Sequence, residues 1–330
     1  MEKNILKWGL LSTAKINQSL IPPLRASKRN KLVGVASRSL DKAKAYARKW
    51  DIPRAFGSYE ALLADPEIDV IYISLPNSMH TEWSIKAMQA GKHVLCEKPL
   101  ALTLEEVDAI SGVAAETGMV IAEAFMYRHH AQTLRIKEMV DTGAIGKIQL
   151  IRGAFSFSLN NKSDIRYDLS MGGGSIWDVG CYPINYARYL LGVDPLEVQG
   201  WQMTGTTGID EVFVGQLRFP GDVFAQFDSS FRMPYRAFIE IIGREGKMTI
   251  PSPFKPDNKD LIQLTHGGKV KTFNAAKAQQ GDLYQGEIED IADAVLLGKQ
   301  IRVSLQDSRG NIATILALLQ SARQDCPIPL

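Results

Sequence analysis

One lysine stands where an open α/β sheet would carry out chemistry. The apolar run His93–Cys96 predicts a strand, and Glu97-Lys98-Pro99 follows it directly. Such sheets bind ligands beyond the carboxyl ends of their strands, and Pro99 holds the preceding residue extended, which ends the strand. An ammonium group at that edge can donate hydrogen bonds to the hydroxyl groups of a bound molecule. A solvated lysine at the start of a loop has the same local sequence, so spacing alone does not decide.

A second group of polar residues recurs at helical spacing. Asp178, Tyr182 and Asn185 stand at i, i+4 and i+7, which places them on one face of a helix. Pro183 lacks an N–H group and predicts either a kink or a helix that starts near Cys181. A free tyrosine with a pKa of ~10 is a poor base at neutral pH, although a nearby lysine would lower that pKa. Tyrosines on amphipathic helices are also common in protein cores, so both readings stay open.

The loop after the first predicted strand, Ile5–Leu11, could bind phosphate. In a dinucleotide-binding fold this strand runs into a helix through closely spaced glycines. Aligned to G-x-G-x-x-G/A, the motif positions fall on Ser12, Ala14 and Asn17, so none holds a glycine. The fingerprint is therefore weak, and a purely structural junction is an equal alternative. Because small side chains still permit close approach, we predict cofactor contacts from Ser12, Thr13, Ala14, Lys15 and Ile16.

The end of the second predicted strand, Leu32–Ala36, indicates the type of nucleotide. An acidic residue there would bind the ribose hydroxyls of NAD, but this chain has Ser37 and Arg38, with Lys42 a turn later. A guanidinium stacks on adenine and pairs with a 2′-phosphate, which a carboxylate would repel. The sequence therefore predicts NADP as the cofactor, with NAD possible. An exposed arginine at a helix N-terminus is the structural alternative.

The elements that position these residues show two different patterns of apolar residues along the chain. Up to about residue 125, short apolar runs alternate with helix-like stretches, for which Ser39 and Thr103 are good N-caps. This alternation predicts an α/β Rossmann domain with a doubly wound parallel sheet over residues 1–125. Residues 126–330 predict an α+β domain with a large, open, mainly antiparallel sheet, since Val212–Phe219 and Val223–Phe231 alternate around a turn. The segment Pro251–Gly268 reads as a surface excursion.

Composition excludes several classes of protein. The 330 residues carry 38 Lys+Arg against 36 Asp+Glu, a formal net charge of +2, so no charge excess favours nucleic acid or membrane surfaces. No stretch is long and apolar enough for a membrane span, and the N-terminus does not read as a signal peptide. The 3 cysteines lie far apart, and the 5 histidines form no metal motif. We expect a cytoplasmic protein without a metal.

Three motifs together resemble the Gfo/Idh/MocA oxidoreductase family, and the resemblance covers essentially the whole chain. They are Glu97-Lys98-Pro99, the loop Leu75–His80, and the stretch Gly172–Tyr182 with its three consecutive glycines. The segments Val35–Ser39 and Asp164–Arg166, and Tyr182 where inositol dehydrogenases carry His, look closest to one branch of the family. That branch contains NADP-dependent D-xylose dehydrogenases, dihydrodiol dehydrogenases and glucose–fructose oxidoreductase.

The resemblance implies a catalytic group and further cofactor contacts. Carried over by motif, Lys98, Asp178 and Tyr182 would be catalytic: Tyr182 moves the proton, Lys98 activates it and grips the nicotinamide ribose, and Asp178 positions. The motif-derived cofactor contacts are Leu75, Pro76, Asn77, His80, Glu97 and Lys98. Hydride transfer to or from a secondary alcohol, carbonyl or anomeric hydroxyl of a sugar, polyol or cyclic diol is the expected reaction.

The substrate is expected between the cofactor domain and the open sheet. Tyr127, Arg128 and Arg166 supply aromatic and basic groups suited to a polyol, beside Asp178 and Tyr182. Interdomain packing is the alternative role of Tyr127. Family analogy adds a homodimer or homotetramer formed through the C-terminal sheet.

Two other functions remain open from the sequence. One is an NAD-dependent inositol-type dehydrogenase, which Arg38 and Tyr182 disfavour. The other is a catalytically silent nucleotide-sensing regulatory protein, which the retention of Lys98 together with Tyr182 disfavours.

Overall fold

The computed structural model describes residues 5–257 and 259–330, and the chain divides into two compact units. The first unit consists of the described residues up to His129 together with Gln280–Ser308. The second consists of His130–Gln279 and Arg309–Leu330. The first unit therefore includes a late segment of the chain that was expected to belong to the second domain.

The first unit is built on a parallel sheet. Within the described residues its six strands follow the order β3-β2-β1-β4-β5-β6, and the order reverses between β1 and β4, as in a doubly wound sheet. The predicted Rossmann architecture is confirmed. The strands are β1 (Leu6–Leu10), β2 (Asn30–Ala36), β3 (Arg54–Phe56), β4 (Val70–Ile73), β5 (His93–Glu97) and β6 (Ile121–Ala124).

Local hydrogen bonding explains where two of the helices begin. The Ser39 side chain accepts a hydrogen bond from the Lys42 backbone N–H, and Thr103 forms a capping box with Glu106. Both predicted N-caps are confirmed. The helices are α1 (Asn17–Ala26), α2 (Leu40–Lys49), α3 (Tyr59–Leu63), α4 (His80–Gln89), α5 (Leu104–Thr117), α6 (Ala131–Asp141), α7 (Cys181–Leu191), α8 (Gln285–Leu297) and α9 (Leu305–Gln324).

The second unit contains a large mixed sheet. Within the described residues its nine strands follow the order β14-β13-β12-β11-β7-β10-β9-β8-β15, and they pair antiparallel except for β7 with β10. This confirms the predicted open, mainly antiparallel sheet. The strands are β7 (Ile148–Ser156), β8 (Glu197–Thr204), β9 (Asp210–Phe219), β10 (Val223–Ser230), β11 (Arg236–Gly243), β12 (Gly246–Ile250), β13 (Ile262–His266), β14 (Lys269–Phe273) and β15 (Ile328–Pro329).

The segment Pro251–Gly268 is more than the predicted surface excursion. Phe254 is fully buried and stacks on Phe155 of β7 at a centroid distance of 5.2 Å, and the segment also contains β13. The expectation was based on the Pro, Lys and Asp content of the segment, and such a composition does not reveal single apolar positions that are buried. That part of the expectation was wrong.

No helix in the described part of the chain is long and apolar enough to cross a membrane. The same residues bring together no group of three or more His, Cys, Asp or Glu side chains that could hold a metal ion.

Candidate active site

Side-chain hydrogen bonds shape the loop between β1 and α1, where a dinucleotide fold normally has glycines. The Ser12 and Ser74 hydroxyl oxygens lie 2.8 Å apart, and Ser74 donates to Asn17 Oδ1 at 2.6 Å. Asn17 Nδ2 in turn donates to the Ser12 carbonyl oxygen at 2.8 Å, and the Ala14 N–H donates to Ser12 Oγ. Ser12, Asn17 and Ser74 are all buried. This network holds the loop at the start of α1, and sequence reasoning had assigned neither Asn17 nor Ser74 to the site.

A cavity of about 570 Å³ opens beside this loop at the end of β2. Its side chains supply hydroxyl groups and two positive charges, from Arg38 and Lys42. Burial raises the pKa of the Tyr59 hydroxyl, and the positive charge of Arg38 beside it partly offsets that rise. Because of these charges, the cavity suits a ribose that carries a phosphate ester better than a ribose with two free hydroxyl groups. The lining residues are Ser12, Thr13, Ala14, Ser37, Arg38, Ser39, Lys42, Tyr59 and Ser74.

The structure thus brings most of the predicted phosphate-loop residues to one cavity. Lys15 is exposed and Ile16 directly precedes α1, but neither lines the cavity. Their predicted cofactor contacts stay predictions.

His80 connects two of the predicted cofactor-binding loops. It is fully buried at the start of α4, with Nδ1 2.7 Å from the Pro99 carbonyl oxygen and Nε2 2.9 Å from the Leu75 carbonyl oxygen. Burial lowers the pKa of His80, although both carbonyl contacts oppose this by favouring the charged ring. His80 therefore ties the Leu75-Pro76-Asn77 loop to the turn that follows Lys98. Direct contact of His80, Leu75, Pro76 or Asn77 with a cofactor stays a prediction.

Glu97 is half-buried and lies beside buried tyrosines and a buried acid. The Tyr72 hydroxyl donates a hydrogen bond to Glu97 Oε1. Burial raises the pKa of Tyr72 well above its usual value, and the Glu97 carboxylate raises it further. Burial also raises the pKa values of Tyr284 and Glu287, and the Glu97 carboxylate raises both further. Sequence reasoning missed Tyr72, Tyr284 and Glu287, because nothing local in the chain connects them with the Glu97-Lys98-Pro99 motif.

The second unit carries Asp178 and Tyr182 on one helical segment. A π-helical turn, Ile176–Gly180, leads directly into α7. Helix α7 begins at Cys181, as one of the two alternatives predicted, but it continues the π-helical turn, so Pro183 lies within a longer helical segment and not at its start. Lys98 belongs to the first unit, and these two residues belong to the second.

Asp178 is oriented by an arginine. Arg166 Nε donates to Asp178 Oδ2 at 2.8 Å, and the Asp178 charge is the main reason that the pKa of Arg166 is raised. The Arg166 side chain is still 42% exposed. The structure therefore joins two predicted site residues in an ion pair that retains access to solvent.

Tyr182 lies in an aromatic cluster. Its side chain is only 6% exposed, and its ring contacts Phe155 edge-on at 5.4 Å and Phe254 at 5.3 Å. These contacts restrict the ring, so the position of its hydroxyl depends on the helix that carries it.

The glycines before this helix serve close packing. A Cβ atom at Gly173 would lie 2.5 Å from the Arg166 carbonyl oxygen and 2.8 Å from that of Asp168. Gly174 has a φ of 128°, and a Cβ atom there would meet Asp210 Oδ1. The glycine run therefore fixes the segment against its neighbours.

Tyr127 and Arg128 occupy a more enclosed environment than sequence reasoning suggested. Both lie in the short helical turn Met126–His129 of the first unit. Tyr127 is fully buried and packs edge-on against Phe125 at 6.0 Å. Arg128 is 5% exposed and pairs with Asp307, with Nη1 2.6 Å from Oδ2. A sugar hydroxyl would have to share that ion pair, and the substrate contacts of both residues stay predictions.

Comparison with known proteins identifies relatives along nearly the whole chain. D-xylose 1-dehydrogenase (NADP(+)) 2 of Haloferax volcanii is 35% identical over 331 residues, which covers 98% of this chain and 100% of that protein. A trans-1,2-dihydrobenzene-1,2-diol dehydrogenase of Danio rerio is 34% identical over 252 residues, 75% of each chain. The crystal structure of a 3-ketoreductase from Actinomadura kijaniata in complex with NADP and TDP-benzene superposes with a TM-score of 0.90 at 28% identity, covering 96% of this chain and 98% of that one.

Family models match both units. The model of an oxidoreductase family with an NAD-binding Rossmann fold, GFO/IDH/MocA, matches residues 6–125, and that of the GFO/IDH/MocA C-terminal domain matches residues 133–249. Together with the motifs and the fold, these matches show that the chain belongs to the Gfo/Idh/MocA family of oxidoreductases.

Proposed function

We propose that this protein is an NADP-dependent dehydrogenase or reductase that acts on a CH–OH group of a sugar, polyol or cyclic diol. The cavity beside Arg38 and Lys42 carries the cofactor assignment, because two cations and several hydroxyl groups suit the 2′-phosphate that distinguishes NADP from NAD. Ser37 and Arg38 stand where an NAD enzyme would have a carboxylate. One relative is named as an NADP(+) D-xylose 1-dehydrogenase, and the similar 3-ketoreductase structure holds NADP, which agrees with this assignment.

The substrate class follows from the Arg166–Asp178 pair. Held side by side, a guanidinium donates hydrogen bonds and a carboxylate accepts them, so the pair can bind two adjacent hydroxyl groups. The relatives are named as a D-xylose dehydrogenase and a trans-1,2-diol dehydrogenase, and both names denote a substrate with neighbouring hydroxyl groups. We therefore place sugars and cyclic diols first.

The chain's own residues handle the proton. When bound, NADP supplies the hydride acceptor of the reaction. Tyr182 takes the proton from the substrate hydroxyl, and Lys98 favours the tyrosinate by its charge and holds the nicotinamide ribose. Asp178, oriented by Arg166, binds a neighbouring substrate hydroxyl. The positions of Lys98 after β5 and of Tyr182 in the first turn of α7 support these roles.

The test follows NADP+ and NAD+ reduction across a panel of aldoses, polyols, cyclic diols and inositols. We expect turnover with NADP+ on one of the first three classes. Preference for NAD+ with an inositol would favour the inositol-type dehydrogenase. Tight NADPH binding without turnover on any substrate would favour the nucleotide sensor.

Two substitutions test the assigned roles. Tyr182→Phe and Lys98→Ala should each lower kcat by about 100-fold or more, whereas Tyr189→Phe, later on the same helix, should not. Near-native turnover by either of the first two variants would refute the role of that residue.

We also propose that two or more copies associate through the open sheet of the second unit in the cytoplasm. Trp201, Val214 and Phe224 lie on neighbouring strands with 44%, 43% and 43% of their surface exposed, and the strand register places them on one face. An apolar face of this kind suits a second copy of the same sheet. Light scattering should give a dimer or tetramer that Trp201→Glu weakens, and a wild-type monomer would overturn this proposal.

The proposed cytoplasmic location is supported by the widely spaced cysteines, which favour a reducing compartment.

A further inference from the structure

A buried carboxylate in the second unit caps the helical segment that carries Asp178 and Tyr182. Asp210, the first residue of β9, is 4% exposed. Its Oδ2 accepts a hydrogen bond from Ser175 Oγ at 2.7 Å and another from the Ile176 N–H at 2.8 Å. Ile176 begins the π-helical turn, so the carboxylate lies where the helix presents unpaired N–H groups and a partial positive charge.

The neighbouring strand β10 fixes the same segment from a second side. The Ser229 hydroxyl oxygen lies 3.0 Å from Ser175 Oγ. A Cβ atom at Gly180 would also lie 3.0 Å from the Ser229 hydroxyl oxygen. Ser175 and Ser229 are fully buried. The helix therefore rests on β9 and β10 with a defined depth and rotation at both ends of the π-helical turn.

Asp210 remains costly to bury despite these bonds. Burial raises the pKa of Asp210 to about 6, although the Ser175 hydroxyl and backbone N–H groups favour the ionised form. Apart from its own backbone N–H, the described hydrogen-bond partners of the Asp210 carboxyl group belong to the start of this helix. A neutral cap such as serine would satisfy the same N–H at a smaller desolvation penalty.

We propose that Asp210 is a positioning residue for the reaction, because it anchors the start of the helical segment on the sheet and so sets where Asp178 and Tyr182 present their polar groups. It acts through the backbone of the segment and not by touching the substrate. Misplacement of reacting groups by about 1 Å can lower a rate by about 100-fold, which gives such an anchor a catalytic effect. This inference rests on the proposed function of Tyr182.

The experiment measures kcat, the Kd of NADPH and the thermal unfolding midpoint in a matched set of variants. Asp210→Asn keeps the side-chain volume but removes the charge and one acceptor. Asp194→Asn is the control, since Asp194 accepts from Arg188 Nε at 2.7 Å near the other end of α7. We expect Asp210→Asn to lower kcat by about 10- to 100-fold, with an unchanged Kd for NADPH. Asp194→Asn should change kcat less than about 2-fold.

A double-mutant cycle separates positioning from general stability. If Asp210 acts through Tyr182, then Asp210→Asn should lower kcat by a smaller factor in the Tyr182→Phe background than in the wild type. A purely structural role would give the same factor in both backgrounds, and that result would overturn the proposal. Ser175→Ala removes one of the two bonds and keeps the other, so it replaces Asp210→Asn in the cycle if that variant does not fold.

The outcomes distinguish this proposal from the function on which it rests. Wild-type turnover by both Asp210→Asn and Ser175→Ala, together with an inactive Tyr182→Phe, would overturn the positioning role alone. Full turnover by Tyr182→Phe would overturn both the proposed role of Tyr182 and the inference about Asp210.

Discussion

His80 Nδ1 lies 2.7 Å from the carbonyl oxygen of Pro99, so the first residue of α4 holds the turn that follows Lys98. The other ring nitrogen contacts the Leu75 carbonyl oxygen. A single buried imidazole thus links the loops after β4 and β5. Both loops lie at the carboxyl edge of the sheet, where ligands of this fold bind.

Loss of this link should impair turnover more than folding. His80→Ala removes both contacts, so we expect kcat to fall by about 10-fold or more, because Lys98 loses its fixed position. Steady-state kinetics and a melting curve measure the two effects. His93→Ala is the matched control, since His93 starts β5 and its Nδ1 accepts from the Val120 N–H at the opposite end of that strand. Equal kcat losses in both variants would contradict the link.

Arg38 should set the preference for NADP over NAD. A charge-assisted contact to a phosphate contributes about 1.5–3 kcal/mol, so Arg38→Ala should raise the Kd of NADPH by about 10- to 100-fold and leave that of NADH nearly unchanged. Fluorescence titration with both nucleotides measures this. Arg48→Ala removes the same charge from an exposed position on α2 and should change neither Kd. A parallel loss of NADH affinity in Arg38→Ala would argue against a contact with the 2′-phosphate.

Glu287 should make the protein less stable as the pH rises. It is 1% exposed, and within the described residues neither carboxylate oxygen has a hydrogen-bond partner. Burial raises the pKa of Glu287 well above 4.5, and the Glu97 carboxylate raises it further. The protonated form therefore stabilises the fold below pH 4.5, and that contribution is lost as the pH rises toward the folded-state pKa.

Melting temperatures across a pH series test the role of Glu287. The wild-type midpoint should decline above about pH 5 more steeply than that of Glu287→Gln, which carries no titrating group. Glu289→Gln, on the same helix, should lower the midpoint without flattening the curve, because Glu289 pairs with Arg29. Parallel curves for wild type and Glu287→Gln would show that the buried carboxyl does not titrate differently in the fold.

His130 should contribute to acid sensitivity. Its ring nitrogen accepts a hydrogen bond from the Gln132 N–H at the start of α6, which requires the neutral ring, and burial lowers the pKa of His130 to about 4. A lowered pKa stabilises the fold above pH 6.5, and that contribution is lost as the pH falls from 6.5 toward 4. His130→Asn keeps a good N-cap and removes the titration, so urea unfolding should depend less on pH. The exposed His266→Asn should leave that dependence unchanged.

Local sequence signals predicted most of the first unit. Thr103 was predicted to cap a helix, and α5 begins directly after it, because Thr103 and Glu106 form a capping box within one turn. Strand β3 was missed, since Arg54-Ala55-Phe56 is short and only half-buried and so shows no apolar run. Apolar patterning detects elements that bury a face, and β3 scarcely does.

The candidate site was predictable only in part. Motifs pointed to Lys98, Asp178 and Tyr182, but the groups that hold such residues come from distant parts of the chain. Ser175 and Asp210 are 35 residues apart, and Ser12 and Ser74 are 62 apart. No periodicity or spacing rule connects such pairs, because a tertiary hydrogen bond leaves no local pattern.

Helix α8 gives the first unit an unusual dependence on the order of synthesis. Arg29, just before β2, forms ion pairs with Glu289 and Asp293, which follow it by more than 250 residues. A ribosome that has made only residues 1–129 has not yet supplied Gln280–Ser308, so the nascent Rossmann sheet cannot complete its helical layer. Strands β7 to β14 of the second unit emerge before that segment, which makes an excised 1–125 fragment a poor surrogate for nucleotide-binding studies.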